Sequence, residues 1–257
     1  MKILFFDIET APCKAYIWSL WQEVTSADFI EQDWYILCWS AKWLGEKKIL
    51  HDFLPNHALY KKDPTNDKEI LETLWKLLDE ADIVVAHNGE KFDKRKVNTR
   101  FIINGMKPPS PYRMIDTRIA AKRYFAFTSN RLNDLGKFLH LGKKVDTGGF
   151  SLWKQCLAGD LNAWKRMVKY CDGDITLLEN LYLEMRPYIL THPNLLSTNE
   201  SACPKCGSSS LQKRGYAYTS STKYQRFVCT SCGGWGRENL NLITKDEKTM
   251  ITRNILQ

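Results

Sequence analysis

Two carboxylates stand two positions apart near the N-terminus, at the end of a short apolar run. Asp7 and Glu9 follow the apolar residues 3–6, and Thr10 comes next. Because side chains alternate across a strand, both carboxylates are expected on the same face at its carboxyl end. Adjacent carboxylates repel each other, and Mg²⁺ or Mn²⁺ relieves this repulsion because both ions prefer hard oxygen ligands. The pair predicts a divalent-metal site, and the alternative for an isolated pair is two solvated acids.

Two later stretches place further acids where they could join this pair. Asp93 is expected in the first turn of a helix after a short strand, where the helix dipole alone would also favour an acid. Tyr170 and Asp174 are four residues apart in a long helical pattern, so they share one helix face. Asp172 is the alternative to Asp174, because the choice depends on the register from Tyr170. A metal site of this kind suits phosphodiester hydrolysis, which needs a hydroxide near neutral pH and a stabilised leaving oxyanion.

Three segments occur in an order that resembles a known family: residues 6–10 (Phe-Asp-Ile-Glu-Thr), residues 88–93, and Tyr170-x-x-x-Asp174. They resemble the three motifs of the DEDD-type 3′–5′ exonucleases with a ribonuclease H-like fold, in the subgroup that uses Tyr in the third motif. The resemblance covers about residues 1–185. This part of the chain is most similar to the proofreading domain of family B DNA polymerases and to the stand-alone predicted exonucleases related to that domain.

The resemblance implies a role for each matching residue. Four carboxylates would hold two Mg²⁺ or Mn²⁺ ions, with Asp7 shared, Glu9 and Asp174 on the nucleophile side, and Asp93 on the leaving-group side. Tyr170 would orient the attacking water. The implied substrate contacts in these motifs are Thr10, Asn88 and Phe92. His87, which precedes the second motif, is expected to be a structural hydrogen-bonding residue.

Four cysteines near the C-terminus form two Cys-x-x-Cys pairs, each followed by glycine: Cys203, Cys206, Cys229 and Cys232. This spacing is typical of a closed, structural Cys₄ zinc site, and it resembles a zinc ribbon. Basic and aromatic residues alternate between the pairs, which suits phosphate contact and base stacking. A protein-docking surface and an ordinary polar hairpin are the alternatives. The predicted nucleic-acid contacts are Lys213, Arg214, Tyr216, Lys223, Tyr224 and Arg226.

Hydrophobic periodicity predicts the elements that position these residues. Strands at 2–9, 34–43 and 48–53 form an antiparallel meander, and a strand at 82–86 lies parallel to its neighbour. Residues 66–69 resemble a capping box at the start of a helix that ends near Asp79. No role is assigned to residues 12–33. The loop at 143–149 is expected to be solvated, and contact between its lysines and phosphates is the alternative. The remaining predicted elements are helices at about 92–105, 132–139 and 161–185 and a strand at 114–117.

The fold class predicted from these elements is α/β: a ribonuclease H-like mixed sheet flanked by helices, with a small Cys₄ zinc ribbon. The expected domains are residues 1–190, 200–238 and a tail at 239–257. The 257 residues carry a formal net charge of +8, which suggests a polyanionic partner. Residues 201–257 hold nine basic and three acidic residues, so this part is the more basic for its length. No run is apolar enough for a membrane span, and a location in the cytoplasm of a bacterial or phage-infected host cell is expected.

The predicted function is 3′–5′ exonuclease activity, dependent on two Mg²⁺ or Mn²⁺ ions and acting on single-stranded DNA. Replication or recombination proteins are expected as further partners. One alternative keeps the chemistry but cuts internally, as an endonuclease of the same fold on structured DNA or RNA. The other alternative is a non-catalytic nucleic-acid or replisome adaptor that uses the zinc ribbon.

Overall fold

A computed structural model describes residues 1–21, 24–195 and 201–252. The chain divides into two compact units, Met1–Tyr182 and Leu183–Gln257. The domain limits predicted from the sequence stay a prediction. Among the described residues, no helix is long and apolar enough to cross a membrane.

The N-terminal unit is built on a five-stranded mixed sheet with the order β5-β4-β1-β6-β7. Strand β4 pairs antiparallel with β1 and β5, whereas β1, β6 and β7 run parallel. The predicted meander and the predicted parallel strand are therefore confirmed. The strands of this unit are β1 (Ile3–Thr10), β2 (Lys14–Ala15), β3 (Ile30–Gln32), β4 (Ile36–Trp43), β5 (Leu50–Phe53), β6 (Ile83–Ala86) and β7 (Arg113–Asp116).

Helices flank this sheet, and most of them occupy the predicted positions. The helices are α1 (Ala58–Lys62), α2 (Lys68–Glu80), α3 (Asp93–Ile103), α4 (Thr117–Tyr124), α5 (Leu132–Phe138), α6 (Ser151–Leu157) and α7 (Leu161–Met185), with 3-10 turns at Ala27–Phe29, Leu54–Asn56 and Arg186–Tyr188.

Strand β1 lies in the middle of the sheet because both of its faces are apolar. Leu4, Phe5 and Phe6 are fully buried, and only the last residues of the strand are polar. A continuous apolar run of this kind is typical of a strand covered on both faces. Asp7 and Glu9 therefore come where the strand leaves the core.

The described residues between 12 and 33, to which no role was assigned from the sequence, include a small antiparallel pair of strands, β2 and β3, and form the described part of a hairpin. Lys14 is in register with Gln32 in the β2–β3 pair, and the Tyr16 N–H donates to the Phe29 carbonyl at 2.9 Å. The Ala11 N–H donates to the Tyr35 carbonyl at 2.8 Å, which closes the base of the hairpin where it leaves the main sheet.

The predicted capping box at the start of α2 is wrong. The N-cap residue is Asp67, and the Glu69 carboxylate accepts from the Leu59 N–H at 2.7 Å instead of reaching back to its own helix. The Asn66 side chain accepts from the Lys68 N–H at 3.1 Å. Glu69 thus makes a tertiary hydrogen bond to Leu59 instead of the local hydrogen bond that a capping box requires.

Asp67 joins three elements through one buried carboxylate. It accepts from the Ile36 N–H at 3.0 Å, from Arg100 Nε and Nη2 at 2.7 and 2.8 Å, and from Asn104 Nδ2 at 3.0 Å. The Asp67 side chain is fully buried. Removing one partner of a buried ion pair leaves the other charge uncompensated, which is the costly change.

We expect Arg100→Ala to lower the free energy of unfolding of the N-terminal unit by about 3 kcal/mol, because the Asp67 carboxylate stays buried with fewer donors. Urea unfolding followed by circular dichroism measures the change. Arg95→Ala, at an exposed position of the same helix, is the matched control and should change stability by less than about 0.5 kcal/mol. Equal losses in the two variants would contradict a special role for the buried pair.

The C-terminal unit carries a three-stranded antiparallel sheet with the order β10-β9-β8. Its elements are β8 (Leu211–Tyr218), β9 (Lys223–Cys229), β10 (Trp235–Asn241) and α8 (Lys245–Thr249). The segment expected as a tail from 239 contains the end of β10 and the helix α8, which begins with a Thr244–Glu247 capping box.

Candidate functional site

Three carboxylates meet at the carboxyl end of β1. Each of Asp7, Glu9 and Asp174 offers an oxygen, and these three atoms all lie within 4.8 Å of one another. Strand β1 supplies the first two acids and helix α7 supplies the third. Behind them the Cys171 thiol lies 3.6 Å from Asp7 Oδ2. The structure therefore brings together residues that are more than 160 positions apart in the chain.

Asp93 lies beside this group, at the first position of α3. Its carboxylate is 2 % exposed, and Asp93 Oδ1 accepts from the Ile8 N–H at 3.3 Å. That hydrogen bond joins α3 to the β1 segment between Asp7 and Glu9. Asp93 is not one of the three residues whose oxygens cluster, although its negative charge raises the pKa of Asp7.

Burial and mutual repulsion make these acids reluctant to ionise. Burial raises the pKa of Asp7 well above its ordinary value, and the neighbouring Asp93 and Glu9 add to the effect. Burial, followed by the charge of Asp174, raises the pKa of Glu9 to about 8. Burial also raises the pKa of Asp93 to about 7. Such a group of acids stays ionised at neutral pH only if cations lie beside it.

The donor set fits divalent cations. Among the described residues, Asp174 Oδ1 is a buried oxygen without a hydrogen-bond partner. Buried polar atoms are nearly always paired, so an orphaned carboxylate oxygen facing other carboxylates indicates a missing positive group. Oxygen-only ligands are those that Mg²⁺ and Mn²⁺ favour.

The structure corrects the expectation that the 143–149 loop is wholly solvated. Lys144 Nζ lies 2.5 Å from Asp174 Oδ2 and 3.0 Å from the Tyr170 hydroxyl. The loop approaches α7 closely, since a Cβ added at Gly173 would lie 3.3 Å from Val145 Cγ2. The Lys-Lys pair in the sequence gave no sign of which lysine would reach the acids.

Tyr170 and Asp174 share one face of α7, as their spacing predicts, and Lys144 touches both. Burial, followed by the charge of Asp174, raises the pKa of Tyr170 to about 12, so the phenol is neutral near pH 7. Its hydroxyl can then donate a hydrogen bond as well as accept one.

Asp172, the alternative fourth acid, has other partners. It accepts from Ser40 Oγ at 2.7 Å, and its other oxygen lies 3.1 Å from His51 Nδ1. Strands β4 and β5 supply these two residues. Asp174 is therefore the α7 acid that faces Asp7 and Glu9.

The turn between β6 and α3 presents two of the residues expected to contact substrate, Asn88 and Phe92, whereas the third, Thr10, ends β1. Asn88 has a φ of +68°, and its Oδ1 accepts from Arg118 Nη1 at 2.7 Å. Gly89 is required there, because a Cβ would lie 2.5 Å from Ala86 Cβ. Phe92 caps α3 and its ring is 38 % exposed.

Two residues that the sequence did not single out position these segments. The Asp116 carboxylate accepts from four backbone N–H groups, those of Asn88, Glu90, Arg118 and Ile119. Trp153 Nε1 donates to the Thr10 carbonyl at 3.2 Å, and its ring packs edge-on against Tyr170. Neither residue belongs to a motif, so spacing alone carried no signal for them.

His87 is held on both ring nitrogens, as expected for a structural residue. Nδ1 lies 2.9 Å from Thr117 Oγ1, and Nε2 lies 3.0 Å from the Asn130 carbonyl. Burial lowers the pKa of His87 to about 4, so the ring is neutral near pH 7.

In the C-terminal unit, Cys203, Cys206, Cys229 and Cys232 form a compact group of sulfurs. The Cys203–Cys232 and Cys206–Cys229 Sγ–Sγ distances are both 3.7 Å. Tetrahedral zinc with Zn–S bonds of about 2.3 Å places sulfurs about 3.8 Å apart. The four thiols therefore fit one zinc ion and leave no ligand position open.

Each cysteine pair ends in a glycine with left-handed backbone, which tightens the turn around the sulfurs. Gly207 has a φ of +75° and Gly233 a φ of +74°. Burial raises the pKa of the Cys229 thiol, but the N–H groups of Cys232 and Ser231 outweigh it and bring the pKa to about 7. Backbone donors thus favour the thiolate that zinc binds.

The sheet of this unit carries cations stacked on aromatic rings. Lys223 Nζ lies 4.0 Å from the Tyr216 ring centre, and the Arg237 guanidinium lies 3.6 Å from that of Tyr224. Arg226 lies 4.9 Å from the ring centre of Trp235. Of the other predicted contacts, Lys213 pairs with Glu238 at 3.2 Å, and the Arg214 carbonyl accepts from Arg226 Nε at 3.0 Å. Trp235 and Arg237 lie outside the set of nucleic-acid contacts predicted from the sequence.

Comparison with known proteins identifies the superfamily to which this chain belongs. The family model described as RNase_H superfamily matches residues 45–186, more than half of the chain, so the chain belongs to the ribonuclease H superfamily. No curated protein matches the sequence.

A solved structure of similar fold is the family B DNA polymerase from the hyperthermophilic archaeon Pyrobaculum calidifontis. The match has a TM-score of 0.52 at 11 % sequence identity, and it covers 73 % of this chain. The chain spans only 25 % of the polymerase. At this identity the likeness shows a shared fold.

The raised pKa values predict how stability depends on pH without added divalent cation. These acids hold protons more tightly in the folded state than in the unfolded state. Their contribution to the free energy of unfolding is therefore fully present below about pH 4 and is lost as pH rises towards 8. The thermal midpoint of the N-terminal unit should therefore fall between pH 5.5 and 8. In Asp7→Asn, which removes one charge, the fall should be smaller.

Differential scanning calorimetry of zinc-loaded protein without Mg²⁺ or Mn²⁺ makes this measurement. Asp172→Asn is the matched control, because Asp172 faces Ser40 and His51 rather than the cluster. The same pH dependence in wild type and Asp7→Asn would show that the acids do not repel one another as described.

The cysteine group makes a further prediction if, as its spacing suggests, it holds one zinc ion. Cys206→Ser should reduce bound zinc from one ion per chain to none and open the C-terminal unit to protease, because a small sheet of this kind depends on its metal. Elemental analysis and limited trypsin digestion measure the two effects. Cys13→Ser, at an exposed cysteine outside the group, is the control. Full zinc content in Cys206→Ser would argue against the site.

Proposed function

We propose that this protein is a metal-dependent 3′–5′ exonuclease that hydrolyses phosphodiester bonds of single-stranded DNA. The observation that carries the proposal is the cluster of the half-buried Asp7 and Glu9 with the buried Asp174 and its orphaned oxygen, in a chain of the ribonuclease H superfamily. No packing requirement explains three repelling acids at one strand end. A pair of Mg²⁺ or Mn²⁺ ions held there explains them.

The carboxylates of Asp7, Glu9 and Asp174 would hold the cations, with Asp93 completing the set. When bound, the cations supply a hydroxide near neutral pH and stabilise the departing 3′-oxyanion. The water oxygen attacks phosphorus and the bond to the 3′-oxygen breaks, which releases a nucleoside 5′-monophosphate. The neutral Tyr170 hydroxyl orients the attacking water, and the Lys144 ammonium, 3.0 Å from that hydroxyl, places a positive charge beside the phosphate.

A cavity that shares Lys144 with the acid cluster supports binding of nucleic acid next to the acids. It has a volume of about 360 Å³ and is lined by Asn88, Arg118, Arg131, Leu132 and Lys144, among others. The cavity is open to solvent, so it suits a segment of a strand as well as its end. Its basic side chains suit an anionic ligand such as a phosphate, although Lys144 is also paired with Asp174.

The C-terminal unit would bind the same nucleic acid through its stacked cations and rings, with one structural zinc ion. Bases stack on exposed rings whatever their sequence, which suits an enzyme without sequence preference. A cytoplasmic setting and partners from replication or recombination remain predictions of the sequence.

The test is a time course on 5′-labelled and 3′-labelled single-stranded DNA and RNA in Mg²⁺ or Mn²⁺. Wild type should shorten DNA from the 3′ end one nucleotide at a time. Asp7→Ala and Asp174→Asn should each lower the rate by at least about 100-fold, because each removes a cation ligand. Asp172→Asn, two residues from Asp174 on the same helix, is the control and should keep most of the activity.

Three other results would each replace this proposal. Internal cuts would indicate an endonuclease. A preference for the RNA strand would change the substrate class. Oligonucleotide binding that is equal with and without Mg²⁺, and that yields no product, would leave the adaptor function of the C-terminal unit.

A further inference from the structure

The hairpin that follows β1 exposes large apolar side chains. Trp18 is 92 % exposed, Trp21 is 90 % exposed and Leu20 is 87 % exposed. Tyr16 and Ile17 on the same segment are also exposed. Single exposed apolar residues are normal. A contiguous set that includes two almost fully exposed tryptophans indicates a surface that binds a ligand or a partner.

This hairpin is attached directly to the strand that carries the acids. Strand β2 begins at Lys14, five residues after Glu9, and the Ala11–Tyr35 hydrogen bond fixes its base. Five residues of extended chain span at most about 17 Å, so the base of the hairpin lies within that distance of Glu9. The aromatic surface is therefore on the chain segment that leaves the candidate active site.

Helix α3 places cations beside the base of the same hairpin. Lys96 Nζ lies 3.5 Å from the ring centre of Trp34 and 5.6 Å from that of Phe92. The carboxylate of Asp33 and the thiol of Cys13 are near enough to Lys96 to affect its pKa, which burial lowers. A cation between two rings thus connects Phe92, next to Asp93, with the residues that begin and end the hairpin.

Helix α3 and the described part of the hairpin differ in the sign of their charge. Residues 91–96, at the start of helix α3, carry Lys91, Lys94, Arg95 and Lys96 against one acid, Asp93, and Lys94 also pairs with Glu90 at 3.3 Å. The described part of the hairpin carries Lys14 but also Asp28 and Glu31. Phosphates are attracted to α3 and repelled by the hairpin, whereas the uncharged face of a nucleobase can stack on an indole.

We propose that Trp18 and Trp21 form a stacking platform for nucleobases of the single strand 5′ to the bond that is cut, while the cations of α3 contact its phosphates. The identity of this strand as substrate rests on the proposed function. The platform makes several unpaired nucleotides upstream of the 3′ end part of what the enzyme recognises. Stacking of this kind is tolerant of sequence, because every base has a π face.

The experiment compares two substrates cleaved by the full chain in Mn²⁺. One is the single-stranded 12-mer (dT)12, and the other is the p-nitrophenyl ester of thymidine 5′-monophosphate, which offers a phosphodiester with no upstream bases. In the double variant Trp18→Ala/Trp21→Ala, the ratio of kcat/KM for the 12-mer to that for the ester should fall about 10- to 100-fold.

Two variants separate stacking from exposed apolar area. Trp18→Tyr/Trp21→Tyr keeps aromatic rings and should restore most of the ratio. Leu20→Ala removes an apolar side chain of similar exposure from the same segment and should leave the ratio unchanged. An unchanged ratio in the double alanine variant, or an equal fall in Leu20→Ala, would overturn the platform.

Two further measurements keep the outcome decisive. If wild type cleaves neither substrate, the proposed function fails. The platform is then tested by the binding of labelled (dT)12, measured by fluorescence anisotropy without added metal. Weaker binding by the double alanine variant would then support it, and equal binding would overturn it. If gel filtration shows that the variant only loses self-association while the ratio and the binding stay unchanged, the surface docks a second copy of this chain instead.

Discussion

The N-terminal unit depends on one electrostatic constraint: several carboxylates, two of them buried and two half-buried, are held together at the end of its central strand. Burial and mutual repulsion raise the pKa values of Asp7, Glu9 and Asp93, so the fold carries this arrangement at a cost to its own stability. Without added metal, Lys144 is the cation that offsets part of the repulsion at Asp174. A site that is destabilising until cations bind is the arrangement expected where function, rather than folding, selects the residues.

The rest of the unit keeps the acids in place. Strand β1 is fixed by pairing on both sides, antiparallel with β4 and parallel with β6. Two N–H groups of the turn that leads to Asp93, those of Asn88 and Glu90, donate to the Asp116 carboxylate, which also caps α4. Asp93 itself accepts from the Ile8 N–H. These hydrogen bonds to charged acceptors are stronger than neutral ones, so the acids cannot move apart to relieve their repulsion.

The sequence predicted the parts of this architecture that depend on local pattern. Apolar periodicity located β1, β4, β6, α2 and α7, and the period-two and period-four spacings placed Asp7 with Glu9 and Tyr170 with Asp174. What the sequence could not predict depends on contacts between distant residues. The capping box before α2 failed because Glu69 bonds to Leu59, and the solvated loop failed at Lys144, which reaches an acid 30 residues away. Asp116 and Trp153 gave no signal, because their partners are backbone atoms, which every residue has.

The two candidate metal sites offer different types of ligand atom, and each type favours a different kind of ion. The acid cluster offers only hard oxygens, and its ligand atoms are spread over as much as 4.8 Å, which suits Mg²⁺ or Mn²⁺ with room for water and a phosphate oxygen. The cysteine site offers four soft sulfurs at tetrahedral spacing with no open position. A zinc ion held there would be enclosed by its own ligands and could not polarise a substrate. Under the proposed function the chemistry belongs to the acids, and zinc would contribute by stabilising the sheet that carries the stacked cations.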